Sequence, residues 1–558
     1  MAEMLLSGAI LWADAAPEPR RAWLLLRDGV VARVGAPDEP EPPAAERVAL
    51  DGHHVLPGFV DAHTHLSVSA FRAIAGDARA WRSREDALRA VAEAASRAAP
   101  DAWLLFLDLD LAAWRGNRLP SPEALAEAAG GRPLLAADVT LHRGVASESG
   151  LARAEVAGRQ VDRDRDVERD RAGRPSGLVW EAAFARVLRR ALADMAAALH
   201  ESGFDALLAR EAERHLRLGI VRAHDPGVPA GVAARLQALA ARTPLRLSWS
   251  AGSPDGLLVP PPPPSGAPES VDGPPSTKLF TDGAHRCALC LPAGLVVRAG
   301  FRAVRAALRG DVHPLRELLA DPVRLVGREL QVPHLRFDDA GLAACARPHA
   351  ASGRRLRIHA LGNLAVRQTT ELLRAMRPDG GATIEHLLVL TEADCDRVAA
   401  SGAAVTVQPG FLPGYGRALL ERGVGGALRA LPVASLVARG VPLAISSDNP
   451  CAPLDPLANL RLAVSRRLDD GTLVDPREAL TRSAAVYAAS AGGARAIGDA
   501  QASGIAPGAP ADLAICDGDP FAPTTRVVAT WIGGRRVWAG GDQAGSLPGA
   551  RQIVFASR

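Results

Sequence analysis

Short apolar runs rich in β-prone residues recur along the chain, each followed by polar or glycine-containing turns. The series is VLPGFVDAHTH (55–65), GIVRAHD (219–225), PLRLSWSAG (244–252), STKLFTDG (276–283), RLRIHALG (355–362), GATIEHLLV (381–389), GAAVTVQPG (402–410) and VPLAISSDNP (441–450). Helical stretches rich in Ala, Leu and Arg separate most of them. Eight β-then-α units predict an α/β fold, a TIM-like (β/α)8 barrel. A barrel commonly takes about 250 residues, and this chain has 558, so insertions and flanks must account for the rest. The largest excess is an insertion after the first barrel strand, residues 67–215. It holds helices, a strand-like RPLLAADV (132–139) and the sign-alternating VDRDRDVERDR (161–171), which reads as a solvated loop or hairpin. The run VPPPPPSGAP (259–268) reads as a stiff linker before the fourth strand.

The two ends have a different texture. Two strands, Leu5–Trp12 and Trp23–Val34, are split by a Pro-rich turn and the Asp28-Gly29 pair. The segments 504–520 and 527–540 return to short strands and turns, completing a small sheet begun by residues 1–50. The expected organisation is 1–55 and 500–558 as that small unit, with 56–499 as the barrel.

Composition narrows the function. A hydrophobic share of 48% rules out global disorder, and a net charge of +3 offers no basic stripe for nucleic acid. Six cysteines in so long a chain form no disulfide framework and suit a reducing compartment. The apolar stretch near the start carries Glu3 and no basic residue ahead of it, which argues against a secretory signal. No apolar run reaches membrane-spanning length, the candidate at Trp103–Trp114 being broken by Asp108 and Asp110. A cytoplasmic protein without membrane partners is expected. Of the 65 basic residues a single one is lysine, Lys278. Codon bias accounts for the replacement of lysine by arginine elsewhere, but not for this survivor, whose chemistry a guanidinium cannot copy. Thr277 precedes it, so no phosphate-binding P-loop exists, and neither a G-x-S-x-G elbow nor a G-x-G-x-x-G fingerprint occurs.

Several polar groups fall at the C-terminal ends of the expected strands, where a barrel assembles its active site. His63 and His65 close the first strand, two apart and therefore on one face. Lys278 lies in strand four, while His359, His386 and Asp448 end strands five, six and eight. Imidazoles and carboxylates suit a divalent metal: zinc, iron or manganese. His224 and Asp225 end strand two, as outer-sphere groups or as a helix cap. His285, Cys287 and Cys290 lack the second pair that a zinc site needs, and His53 and His54 lie at the wrong end of strand one.

The stretches LPGFVDAHTH, TKLFTDG, IHALGNLAV, IEHLLVL, VQPGF, SSDNP and PGAPADLAI, with DRAGRPSGLVWEAAF (170–184) in the insertion, resemble the amidohydrolase superfamily. They are most similar to its amidohydrolase-3, YtcJ-like branch, which includes N-substituted formamide deformylases. The resemblance implies a distorted barrel with a composite β-sandwich built from both ends. It implies one or two divalent ions, zinc first, held by His63, His65, His359, His386 and Asp448, with Lys278 carboxylated to bridge a pair. It implies hydrolysis of a non-peptide C–N bond in a small N-formyl or N-acyl amide by metal-activated hydroxide, with Asp448 as general base. Leu141-His142 resembles the branch's Gly-His segment, which makes His142 a substrate contact. Asn363 stands where the branch usually has Asp, which bears on substrate identity. Two other readings stand beside this one: a Schiff-base lyase or aldolase using Lys278, and a non-catalytic binding protein of the same shape. The expected partner is a small-molecule amide, and a homo-oligomer is compatible with the sequence.

Overall fold

The computed structural model describes residues 3–13, 18–111, 119–156, 166–169, 172–252, 270–284, 286–309, 323–327, 329–499 and 504–540. The proline-rich run 259–268, most of the sign-alternating stretch 161–171 and His285 lie outside these residues.

Eight parallel strands form the central sheet, and they follow one another in chain order. They are β1 (Phe59–Asp61), β2 (Ile220–Val228), β3 (Arg246–Ala251), β4 (Ser276–Phe280), β5 (Arg355–Ala360), β6 (Ala382–His386), β7 (Ala404–Val407) and β8 (Leu443–Ile445). Seven lie inside the apolar runs, and β2 starts in its run, 219–225, and continues three residues past it. Their side chains are buried almost throughout, which is the condition of a parallel sheet covered on both faces. The helices between them end in ways the sequence announces. Thr391 and Asp394 form a capping box at the start of the helix Glu392–Ser401, and Gly402 ends it at φ 71°.

The sheet closes between β1 and β8 through the loops beyond their ends rather than through a ladder. Asp448 N donates to His63 O at 2.7 Å, and His65 N to Asn449 O at 2.8 Å. The Asp61 carboxylate accepts from Ser447 N at 3.0 Å and from Ser447 Oγ at 2.5 Å. A helix at Ala491–Ile497 backs this seam, with Val60, Ala62, Ala444, Ala494 and Ile497 in one small core. Gly493 faces Val60 so closely that an added Cβ would sit 2.7 Å from the Val60 Cβ and carbonyl oxygen.

Both chain ends knit into one sheet. Its order runs Arg535–Ala539, Val527–Ile532, Leu513–Cys516, His54–Pro57, Glu3–Leu11, Arg20–Arg27, Val30–Gly35, with Glu46–Ala49 also paired to Glu3–Leu11. It curls over its own core (Leu6, Leu24, Val31, Leu513, Ile515, Trp531), and Val31 N reaches Ala509 O at 2.8 Å. The expected second strand, Trp23–Val34, is a hairpin turning at Asp28 (φ 52°) and Gly29 (φ 84°).

The insertion holds more sheet than the one strand expected. Six strands, Gly76–Asp77, Leu104–Leu109, Leu134–Asp138, Arg143–Ala146, Val167–Arg169 and Pro175–Trp180, form a mixed sheet. Its residues alternate between two cores. Leu104, Phe106, Leu134 and Ala136 face a helix at Arg84–Arg97 in a core of their own, whereas Leu105, Leu107, Leu135 and Ala137 join the barrel's core. Burial on both sides removes polar alternation, so the sequence shows plain apolar runs there. Two helices, Glu181–Ala198 and His200–Arg217, lead back to β2. No helix among the described residues is long and apolar enough to cross a membrane.

Gly493→Val should therefore strain the barrel seam. An unstable variant is expected, weaker by about 1–3 kcal/mol, seen as a lower denaturant midpoint with an unchanged m-value.

Candidate metal centre

The loop beyond β1 carries His63 and His65, and the loop beyond β8 carries Asp448 opposite them. Asp448 Oδ1 lies 3.3 Å from His63 Nε2 and 3.1 Å from His65 Nε2. It has no hydrogen bond of good geometry, although it is buried. The three ligand atoms lie within 4.8 Å of one another, and they are the group of metal-ligand type found among the described residues. His386, at the end of β6, brings Nδ1 to 3.9 Å from Asp448 Oδ2. The imidazoles run in a row: ring centroids are 4.8 Å apart for His63 and His386, and 4.5 Å for His386 and His359. Asp448 and His386 both hold left-handed backbone, φ 54° and 81°. Such strain in non-glycine residues persists only where surroundings enforce it, and it gathers at functional sites.

Lys278 points from β4 into the same space. It is 4% exposed, and its Nζ has no hydrogen-bond partner. Burial lowers its pKa to about 8, so a neutral amine is within reach. Burial also pushes His386 down to about 3 and His359 well below the usual imidazole range. Both are therefore neutral imidazoles at neutral pH, the form that ligates metal. For Asp448 burial opposes the charge, but His63, His65 and His386 prevail and hold the carboxyl well below its usual range. An anion, neutral imidazoles and a buried unpartnered amine make a donor set that fits a divalent cation. With Lys278 as a carbamate it would fit two.

Outer contacts aim these groups. His63 Nδ1 lies 2.5 Å from Glu385, so its Nε2 is left for the site. Gln408 Oε1 lies 2.9 Å from His386 Nδ1, and Gln408 Nε2 donates to Ser446 Oγ at 2.9 Å. His359 Nε2 stands 3.7 Å from Asp282, whose carboxylate accepts from the backbone N–H groups of Leu361, Gly362 and Ala288. Arg357, in β5 and fully buried, forms an ion pair with Glu385 at 2.8 Å and donates to the Ala62 carbonyl at 2.6 Å. Sequence reasoning passed over Glu385, Arg357 and Gln408. The available signal was opposite charge at Arg357 and Glu385, inside adjacent strands otherwise apolar enough to be buried.

The remaining candidates sort themselves by their partners. His142 comes in from the insertion, its ring 5.2 Å from that of His359. Both nitrogens of His224 are engaged, by Ser248 at 2.8 Å and Ser250 at 2.9 Å, so it is structural. Asp225 accepts from Ser67 N at 2.8 Å and stands 4.0 Å from His65 Nδ1. Cys287 and Cys290 turn to different partners, the Ala284 carbonyl and Glu329. His54 accepts from Trp12 Nε1 at 3.0 Å, away from the barrel mouth. Asn363 does not face the site. Its amide accepts from Cys290 N at 2.7 Å and donates to Cys290 O at 2.8 Å, a two-way bond that a carboxylate could not make.

Comparison with known proteins agrees with this arrangement. The profile described as Amidohydrolase family matches residues 46–538. The chain is 25% identical to the N-substituted formamide deformylase of Arthrobacter pascens, over 95% of this chain and 97% of that one. It is 24% identical to the YtcJ protein of Bacillus subtilis (strain 168), named as an amidohydrolase, over 92% of this chain and 94% of that one. Among solved structures, an uncharacterized metal-dependent hydrolase from Pyrococcus horikoshii OT3 shares the fold. The TM-score is 0.66 at 19% identity, over 93% of this chain and 98% of that one. The branch resemblance read from the motifs is borne out.

Glu385→Gln should cost metal affinity about 10–100-fold, the usual effect of losing a partner behind a ligating histidine. Removing its charge beside buried Arg357 should also lower stability measured without metal. Elemental analysis after dialysis against a graded chelator, with thermal unfolding of the metal-free protein, reads both effects.

Proposed function

The chain belongs to the amidohydrolase family, whose profile spans residues 46–538, and is a hydrolase of carbon–nitrogen bonds other than peptide bonds; from that premise we propose a metal-dependent enzyme acting on small N-formyl or N-acyl amides. The observation that carries the reading is the convergence of His63 and His65 Nε2 on the buried, unbonded Asp448 Oδ1. His63, His65, His359, His386 and Asp448 are the residues that would hold the metal, with Lys278 as a bridging ligand once carboxylated. Zinc is the first candidate, before iron or manganese. When bound, such a cation supplies Lewis-acid polarisation of a carbonyl and a water of lowered pKa.

The protein's own groups do the rest. Asp448, held ionised by its imidazole neighbours, accepts a proton from the attacking water and passes it to the leaving nitrogen. Phe280 and Phe411 stand against His359 and His386, at ring distances of 5.1 Å and 6.1 Å, and shield that side from water. His142 contacts the substrate from the insertion. The N-formyl and N-acyl class draws support from the full-length similarity to a formamide deformylase. All six cysteines are unpaired, which suits a cytoplasmic location. A Schiff-base role for Lys278 has one observation in its favour, the buried amine whose pKa falls to about 8. Borohydride reduction in the presence of substrate would trap that adduct, and none is expected.

Three measurements test the reading. Exhaustive chelation should abolish hydrolysis of formamide and N-acyl substrates, and added zinc, iron or manganese should restore it. Asp448→Asn should lower kcat by at least ~10²-fold, the lower bound for general acid–base catalysis, while retaining some metal. Lys278→Arg and Lys278→Ala should both be inactive, with acetate or propionate partly restoring only the alanine variant. An active Lys278→Arg protein would remove the bridging role.

A further inference from the structure

Seven of the twelve large apolar side chains exposed among the described residues fall between Val297 and Val326, in a unit the metal reading leaves unused. That unit is a helix, Ala293–Ala307, packed on an antiparallel sheet of Leu289–Pro292, Glu329–Val332 and Arg324–Val326. It hangs from the rim of the barrel mouth, because Cys290 in its first strand makes the two-way bond with Asn363, which opens the helix after β5. The outer strand, Arg324–Val326, is exposed along its whole length, Leu325 at 70%.

Along the helix and its C-terminal cap, Val297, Phe301, Val304 and Leu308 follow one another at intervals of four, three and four residues. Such spacing puts them on one stripe. All four face solvent, Phe301 at 73% and Leu308 at 83% exposure, while Ala303, away from the stripe, is buried. The arginines of this segment, at 298, 302, 305 and 309, repeat the same intervals one residue later, so their positions form a basic flank beside the stripe. No acidic residue occurs from Ala293 to Arg309. Arg305, Arg309 and Arg324 are exposed, and none of the three has an ion-pair partner among the described residues.

Exposed apolar residues normally occur singly, and a concentrated patch marks a surface that works against a partner. The partner of this one must be apolar along the stripe and anionic along the flank. A second copy docking by the same face would bring the same arginines and no carboxylate from either helix, so charge disfavours it. Protein partners anchor by side chains sunk into pockets, whereas Phe301 and Leu308 form a ridge that keeps most of its surface in water. A bilayer meets both demands at once, since acyl chains receive the stripe and lipid phosphates receive the guanidinium groups. The helix has 15 residues, about 22 Å at the usual rise, too short to span a bilayer but suited to lying in its surface. That condition differs from the spanning segment whose absence argued against a membrane partner.

We propose that the helix Ala293–Ala307 is a docking element for an anionic lipid bilayer. Val297, Phe301, Val304 and Leu308 insert among the acyl chains while the arginine flank meets phosphates, so the barrel mouth is held at the membrane surface. The proposal is independent of the hydrolase reading and needs no metal.

The test is flotation of the full-length protein with vesicles of phosphatidylcholine, alone or mixed with phosphatidylserine. The protein should float with the mixed vesicles, bind phosphatidylcholine alone at least ~10-fold more weakly, and come off as salt is added. Phe301→Ser combined with Leu308→Ser should lower the affinity for the mixed vesicles at least ~10-fold. Arg305→Glu combined with Arg309→Glu should remove the preference for phosphatidylserine. These four side chains lie in solvent, so thermal unfolding of both variants should match the wild type. No flotation with the mixed vesicles, or flotation untouched in both variants, overturns the proposal. So does a wild-type dimer that the Phe301→Ser, Leu308→Ser protein loses, because a second copy would then cover the stripe.

Discussion

One buried carboxylate ties the barrel's working end together. Glu385, at the end of β6 and wholly buried, reaches His63 beyond β1, Arg357 on β5 and Thr406 on β7. Arg357 in turn holds the backbone carbonyls of Ala62, just beyond β1, and Ala496, in the helix that backs the barrel seam. Burying such charges is costly, and the cost is offset only when every partner is in place. Its return is geometric, since His63 cannot turn its Nε2 away from Asp448 without abandoning Glu385. Burial would raise the Glu385 pKa, yet Arg357, His63 and Lys278 hold it well below the usual range, so the anion persists. That negative charge offsets part of the repulsion among Arg357, a cation in the site and any charged state of Lys278.

The barrel and the polar residues at its mouth were legible because most strands announce themselves twice. Apolar runs such as LRIHA and ATIEH mark burial, and a polar residue at the run's end marks the mouth. His-x-His, the lone lysine and Asp448 therefore fell into order before any coordinates. The contacts behind the ligands were not legible, for a physical reason. Glu385 and Gln408 look like ordinary polar interruptions until the closed barrel brings His63 across to Glu385 and the strand beside it sets His386 against Gln408, and both are long-range properties. Asn363 shows the converse: a residue suspected of facing the substrate spends its amide on the backbone of Cys290.

The insertion was misjudged for a different reason. The strand expected at 132–139 is present, but LLFLDL, buried on both faces like it, carries no alternation to separate strand from helix, and the outer strands are short. One face belongs to a private core and the other to the barrel. That double commitment is what lets a segment outside the barrel place a side chain at its mouth with precision.

The two parts of the site are then held by different physics. Metal-type ligands stand at the ends of buried parallel strands and their loops, where packing and charge pairing leave little freedom. His142 stands in the insertion, bound to Glu181, which is itself pressed onto Gly283 and held by Arg336. A ligand set needs fixed distances to a small ion and tolerates little variation. Separating the two lets the insertion vary without disturbing the groups fixed at the strand ends.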